Sequence, residues 1–286
     1  MLSFYIGEGI LLKMAVSPLF MISKRATLIC AMDSISLKTV PPNHSDYGMV
    51  MVVLRINSLS LSCFRCSSSA IENIQSLDLS IIDSILSTTT DRELVYVSAD
   101  SHGPTTFIRF DFLDNFGFKL DCISESYHNR SMGYNAPFTL GNPYNYLGDY
   151  ESEYEYDVVL GIPSHEFRRI LRHIREFACL IVDVFVTDAS TLTFSSGPED
   201  LVLTIEDDGC IVWGIEWYRT ARLRMTLFNM DSFMEASEHS TFVWMFHCPS
   251  WSDFPECPVM LNCPIGHLGN IKYYFDERHD RRFPEC

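Results

Sequence analysis

The sequence predicts an α+β protein made of two domains with one plan, antiparallel sheets forming the body and four helices gathered on one side. Three observations carry this. Helical apolar periodicity appears in four short segments separated by β-prone runs, in the order helix, strands, helix, strands, twice over. That rhythm breaks between residues 123 and 157, where Asn, Gly, Tyr, Pro and Ser dominate. The flanking halves are each of ordinary domain size.

In the first half, Gly9 to Ser23 places Ile10, Leu11, Met14, Ala15, Leu19 and Ile22 on one helical face. Pro18 falls inside and is expected to kink or restart the helix, at a cost of up to about 3 kcal/mol. Short β-prone runs follow at Thr27–Met32, Ser34–Val40 and Val50–Arg55, punctuated by Pro41, Pro42 and Asn43. Leu59–Arg65 alternates like another strand. Asp78–Ser87 reads as a second helix with Leu79, Ile82, Ile85 and Leu86 inward and Asp78 as its cap. Strands are expected again at Glu93–Ser98, Thr105–Phe112 and Phe116–Cys122.

The second half repeats the order. Pro163–Phe177 is a helix with Phe167, Ile170, Leu171 and Ile174 as its buried stripe and Ser164 as N-cap. Strands follow at Leu180–Thr187 and Thr191–Ser195, with β-prone residues from Leu201 to Trp217. A fourth helix near Asn229–Ser237 precedes strands at Thr241–His247, Val259–Cys263 and Asn270–Phe275. The domains are accordingly 1–119 and 158–286, joined by a long connection at 120–157 that ends in the acidic-aromatic run from Asp149 to Tyr156.

Composition narrows the function. With 47% hydrophobic and 13% aromatic residues the chain folds rather than staying disordered. A formal charge of −16 excludes a protein that coats nucleic acid with its whole surface, though not one with a local basic stripe. The ten cysteines are scattered; only Cys63 and Cys66 form C-x-x-C, and Cys257, Cys263 and His267 do not complete a zinc set. They read as free thiols of a reducing compartment. Glu8 and Lys13 interrupt the apolar opening, so no secretory leader is expected. No apolar run reaches the roughly 18 residues of a membrane span. His44, His165, His173 and His247 lie near carboxylates, yet no nucleophile elbow, phosphate loop or HExxH accompanies them. The expectation is a non-enzyme without cofactor.

Particular words along this order resemble the proliferating cell nuclear antigen family of DNA sliding clamps. Pro258–Leu261 followed by Ile265–Phe275 is similar to the family's C-terminal ending. Leu160–Ile170 looks like the start of its second domain's first helix. Val53–Arg55, Phe64–Cys66 and Ser80–Leu86 resemble first-domain stretches, and Glu8 to Lys13 and His44 fall in the same order. The matches run collinearly from about residue 4 to residue 278. The resemblance implies a nuclear homotrimer closed head to tail, with sheets outside and the four helices lining a channel for double-stranded DNA. It implies a processivity factor for DNA polymerase in replication and repair, placed on DNA by a clamp loader. Subunit edges would be Phe116–Leu120 and about Leu201–Ile205.

The resemblance also assigns residues. Lys13, Arg65, Arg169, Arg172 and Arg175 take DNA-facing positions, although charges around an apolar stripe, Arg168 and His173 included, ordinarily mean a solvated helix face. Val40, His44, Leu147, Tyr156, Pro258 and Tyr274 take positions of the pocket that receives partner peptides, although such residues in strands are ordinarily core. Several positions depart from the family pattern. Met14, Phe20, Ser84 and Ser87 stand where lysines are usual, and Asp231, Glu235 and Glu238 crowd the fourth helix. The connection is longer by roughly twenty residues, against ordinary connections of about 4–6. Gly148–Tyr150, Asp276 and Glu277 alter the pocket rim, and Thr187, Asp188 and Ala189 leave no modifiable lysine there. Each lost phosphate contact weakens DNA binding and flattens its salt dependence. The alternatives are a clamp-like interaction protein that no longer holds DNA, and a subunit of a mixed ring.

Overall fold

The computed structural model describes residues 2–41, 49–66, 73–87, 89, 93–102, 105–114, 139–140, 156–177, 181–187, 190–196, 200–215, 220–248 and 258–275. The protein is α+β, with antiparallel strand pairing and, among the described residues, four α-helices. It divides into two compact units. The first comprises Met1–Thr39, Leu54–Asn145 and Gly266–Gly269; the second comprises Val40–Val53, Tyr146–Ile265 and Asn270–Cys286.

The first half of the chain runs β1 (Leu2–Ile6), α1 (Gly9–Ile22), β2 (Arg25–Cys30), β3 (Ser34–Thr39), β4 (Met49–Asn57), a 3-10 turn at Ser58–Ser60, β5 (Ser62–Cys66), β6 (Asn73–Asp78), α2 (Leu79–Leu86), β7 (Glu93–His102), β8 (Thr105–Asp114) and β9 (Thr139–Leu140). The second half runs β10 (Val158–Pro163), α3 (Ser164–Glu176), β11 (Ile181–Thr187), β12 (Thr191–Ser195), β13 (Asp200–Thr204), β14 (Ile211–Trp213), β15 (Ala221–Thr226), α4 (Met230–Glu238), β16 (Phe242–His247), β17 (Val259–Ile265) and β18 (Gly269–Phe275). Among the described residues each half reads strand, helix, five strands, helix, three strands.

Strand pairing repeats as well. The order β5-β1-β7-β8 in one half corresponds position for position to β14-β10-β16-β17 in the other. The order β4-β3-β2-β6 likewise corresponds to β13-β12-β11-β15. Within each unit the two helices pack on each other, α1 with α2 and α3 with α4.

Local chemistry explains where elements begin. Asp78 caps α2, its carboxylate accepting from the Ser80 backbone N–H at 2.9 Å, as expected. At α3 the expectation of a Ser164 cap fails. Pro163 occupies the cap position, and Ser164 is the first helical residue, its backbone N–H donating to the Thr241 carbonyl at 3.0 Å. A proline just before the helix already supplies the extended geometry of a cap, which moves the serine inside. Pro18 does not restart α1, which is assigned as one helix from Gly9 to Ile22. Val16, Pro18, Leu19 and Ile22 are all buried, and packing of that kind outweighs one missing ladder bond. Of the alternating run at Leu59–Arg65, only Ser62 onward is strand, and Leu59 sits 98% exposed on the 3-10 turn. Strands β6 and β15 were not anticipated. In β15, Arg222 and Arg224 alternate with buried Ala221, Leu223 and Met225.

The core of the first unit surrounds an apolar void of about 40 Å³ lined by Leu12, Val16, Leu28, Ile82, Val97 and Phe110, among others. In the second unit the predicted α3 stripe of Phe167, Ile170, Leu171 and Ile174 is fully buried. Helices α3 and α4 cover the face of β10, β16 and β17 that carries Leu160, Val243, Met245 and Leu261. Tyr273 and Ser232 join α4 to β18 through a buried 2.9 Å hydroxyl pair. The predicted strand Phe116–Cys122 and most of the 120–157 connection lie outside the described residues.

Candidate functional site

Helix α3 carries the basic candidates. Its buried stripe leaves His165, Arg169, Arg172 and Glu176 along the opposite side, at the spacing of successive helical turns, with Arg175 also exposed. Two of the three predicted arginines are already engaged. Glu166, one turn before Arg169, accepts its Nε–H at 2.6 Å, an i,i+3 partner that the sequence reading passed over. Arg175 reaches across to Asp231 on α4. Arg172 is exposed and has no ion pair among the described residues.

The other two predicted DNA-facing residues stand elsewhere. Lys13 is half-buried on α1. Arg65 is exposed on β5, the edge strand of its sheet, in register with Ser3 of β1, and belongs to no helix. Across the four helices five basic side chains stand against six carboxylates. A phosphate-binding surface draws its affinity from net positive charge, which the helices as a set lack, and Arg172 is their exposed cation without an ion pair among the described residues.

The partner-pocket candidates fare differently. Tyr156 and Tyr274 fall in one apolar cluster with Met51, Val53, Met260 and Phe246, all in the second unit. The Tyr156 and Phe246 rings lie 5.5 Å apart, inclined at 55°. Pro258 is buried just before β17, and Val40 is half-buried just after β3. His44 and Leu147 lie outside the described residues. The reading missed Met51, Val53, Phe246 and Met260. Their signal is the apolar residues at alternate positions on one side of β4, β16 and β17.

A third constellation had no counterpart in the sequence reading. Asp183 on β11 accepts from both Arg222 and Arg224 of β15, each through Nε–H and Nη2–H, at 2.8–3.0 Å. Burial pushes the Asp183 carboxyl up, but hydrogen bonds and charge from Arg224 and Arg222 outweigh it and hold it below the usual carboxylate range. Arg222 also lies over the Phe185 ring, 5.6 Å from its centroid.

Among the described residues burial also shifts isolated titratable groups. Burial pushes the His247 imidazole down to about 4, against the pull of the Asp157 carboxylate. Burial, with Asp208 and Glu166 adding, pushes the Cys210 thiol up to about 11, far from a reactive thiolate. Among the described residues no group of three or more His, Cys, Asp or Glu side chains is placed to hold a metal ion. Among the described residues no helix is long and apolar enough to cross a membrane. Comparison with models of known protein families gives no match, and neither does comparison with curated proteins.

Proposed function

We propose that the chain is a subunit of a ring-shaped sliding clamp of the proliferating cell nuclear antigen type, which tethers replication and repair enzymes to duplex DNA. The observation that carries this reading is the repeated wiring. Two units of equal strand and helix order, paired in the same sequence, are what a ring built from like modules requires. The resemblance of the C-terminal and α3 segments to that family points the same way. So does β13, which ends its sheet and exposes Val202 to 56%. An apolar, half-open edge is the feature a neighbouring subunit covers by strand pairing. In this reading partner peptides dock on the half-buried Tyr156 and Phe246, which pack against the buried Tyr274 and Met260.

One observation favours a second reading, a clamp-like recruiting subunit that holds DNA weakly or shares a mixed ring. Carboxylates outnumber basic groups on the four helices, and Arg169 and Arg175 are already paired. Light scattering combined with a processivity assay separates the readings. A particle of three times 32.8 kDa that extends polymerase products on primed circular DNA supports the first. A trimer without processivity supports the second. A persistent monomer at micromolar concentration defeats the homotrimeric clamp.

A further inference from the structure

The helix-free face of the second unit holds an apolar row longer than the Tyr156–Tyr274 cluster. Strand register aligns Trp213 of β14 with Val159 of β10, Val159 with Phe246 of β16, and Phe246 with Met260 of β17. Met260 in turn packs in the cluster with Tyr274. Four neighbouring strands at about 4.8 Å spacing make the row about 14 Å long, the reach of four to five residues of extended chain. Exposure climbs along it. Met260 is 6% exposed, Val159 and Phe246 are half-buried, and Trp213 is 63% exposed. Beside this row Ile211, 42% exposed, pairs with Gly161, over which the Trp244 ring lies. A Cβ on Gly161 would stand 2.7 Å from that ring, so the glycine is what lets the aromatic surface lie flat.

Charge at the exposed end has one sign. The turn leading into β14 contains Glu206, Asp207 and Asp208. At the far end of the strand the exposed Asp157 abuts Gly214, whose φ of +86° allows the close backbone approach. No basic residue lies between Glu206 and Ile215. A large exposed tryptophan within an apolar row rimmed by acid is the make-up of an anchoring site, not of a solvated sheet.

We propose that this row is a docking groove for an extended segment of a partner protein, carrying two apolar or aromatic anchors and a basic flank. One anchor sits on the half-buried Phe246, the other on Trp213 and Ile211, with the flank against Asp157 and the β13–β14 turn. A second copy of this chain is the poorer occupant. Its charge of −16 and the acidic rim make self-association through this patch repulsive. The groove extends the partner cluster of the clamp reading, but it needs neither ring closure nor DNA.

The test is selection of random 12-residue peptides displayed on phage against the full chain, then fluorescence polarisation with the enriched peptides made synthetically. Expected is enrichment of aromatic and basic residues together. Binding should weaken at least tenfold in Trp213→Ser and in Ile211→Ser, and should fall as salt rises. Both side chains are exposed, so neither variant hollows the core, and circular dichroism verifies the fold. Absence of enrichment, enrichment of acidic peptides, or affinity untouched by both substitutions overturns the groove. Sedimentation showing self-association of the wild type that Trp213→Ser abolishes overturns the occupant. Loss of trimer or processivity with peptide binding intact counts against the clamp reading alone.

Discussion

His247 gives the fold a pH dependence that can be measured. It is 4% exposed on β16, opposite Val158, and burial holds its imidazole near 4 where an unfolded chain has 6.5. Between those values the unfolded chain binds a proton that the folded chain refuses, so stability falls as pH falls from 6.5 toward 4 and is fully present above 6.5. A tenfold change in proton affinity corresponds to about 1.4 kcal/mol, so the whole descent is worth on the order of 3 kcal/mol, about 2 of it lost between pH 7 and pH 5. Against typical domain stabilities of about 5–15 kcal/mol that loss is readable in urea titrations. Carboxylates also titrate in this range, so the informative quantity is the difference between wild type and His247→Leu. The wild type should lose about 2 kcal/mol more than the variant from pH 7 to pH 5. Parallel pH profiles for the two proteins would refute a buried neutral imidazole.

On the clamp reading, Val202→Pro blocks the β13 edge from pairing with another strand while leaving the helices untouched, so light scattering should show a monomer where the wild type is a trimer, with an unchanged circular dichroism spectrum. An unchanged mass would place the subunit contact elsewhere. On the same reading, Arg172→Glu should reduce DNA retention at low salt, at all sequences, by more than Arg169→Glu, because Arg169 already faces Glu166. Equal losses in filter binding would show that the ion pair does not hold in solution. Val16→Ile adds one methyl group beside the void in the first unit and should raise the unfolding free energy by about 0.5–1 kcal/mol, with no gain or a loss showing that the space cannot take the added group.

What the sequence made legible was local. The α3 stripe follows from the spacing of Phe167, Ile170, Leu171 and Ile174, and the α2 cap from an aspartate placed before an apolar run. The Ser164 cap was misread because the residue type was weighed without the proline before it. The Glu166–Arg169 pair went unseen because the charges around the α3 stripe were weighed as one solvated face and not as i,i+3 partners. Strand β15 hid behind two arginines whose counter-charge, Asp183, lies some forty positions earlier and becomes a neighbour only through β11–β15 pairing. The row from Trp213 to Met260 was out of reach for the same reason. No periodicity within one strand shows it, since each of its four residues comes from a different strand and only register lines them up.

The same wiring sets a timetable for synthesis. Strand β1 pairs with β5 and β7, and its residue Leu2 faces Ala99 across the ladder. A ribosome adding about 5–20 residues per second takes roughly 5–20 s to make the intervening chain. Throughout that interval Leu2, Phe4 and Ile6, all destined for the core, have no strand on the β7 side. The second half repeats the delay on a similar scale, because β10 awaits β16. Nascent chains of this protein therefore present apolar strand edges twice in succession, and holding chaperones during translation should raise its yield more than any change to the mature surface.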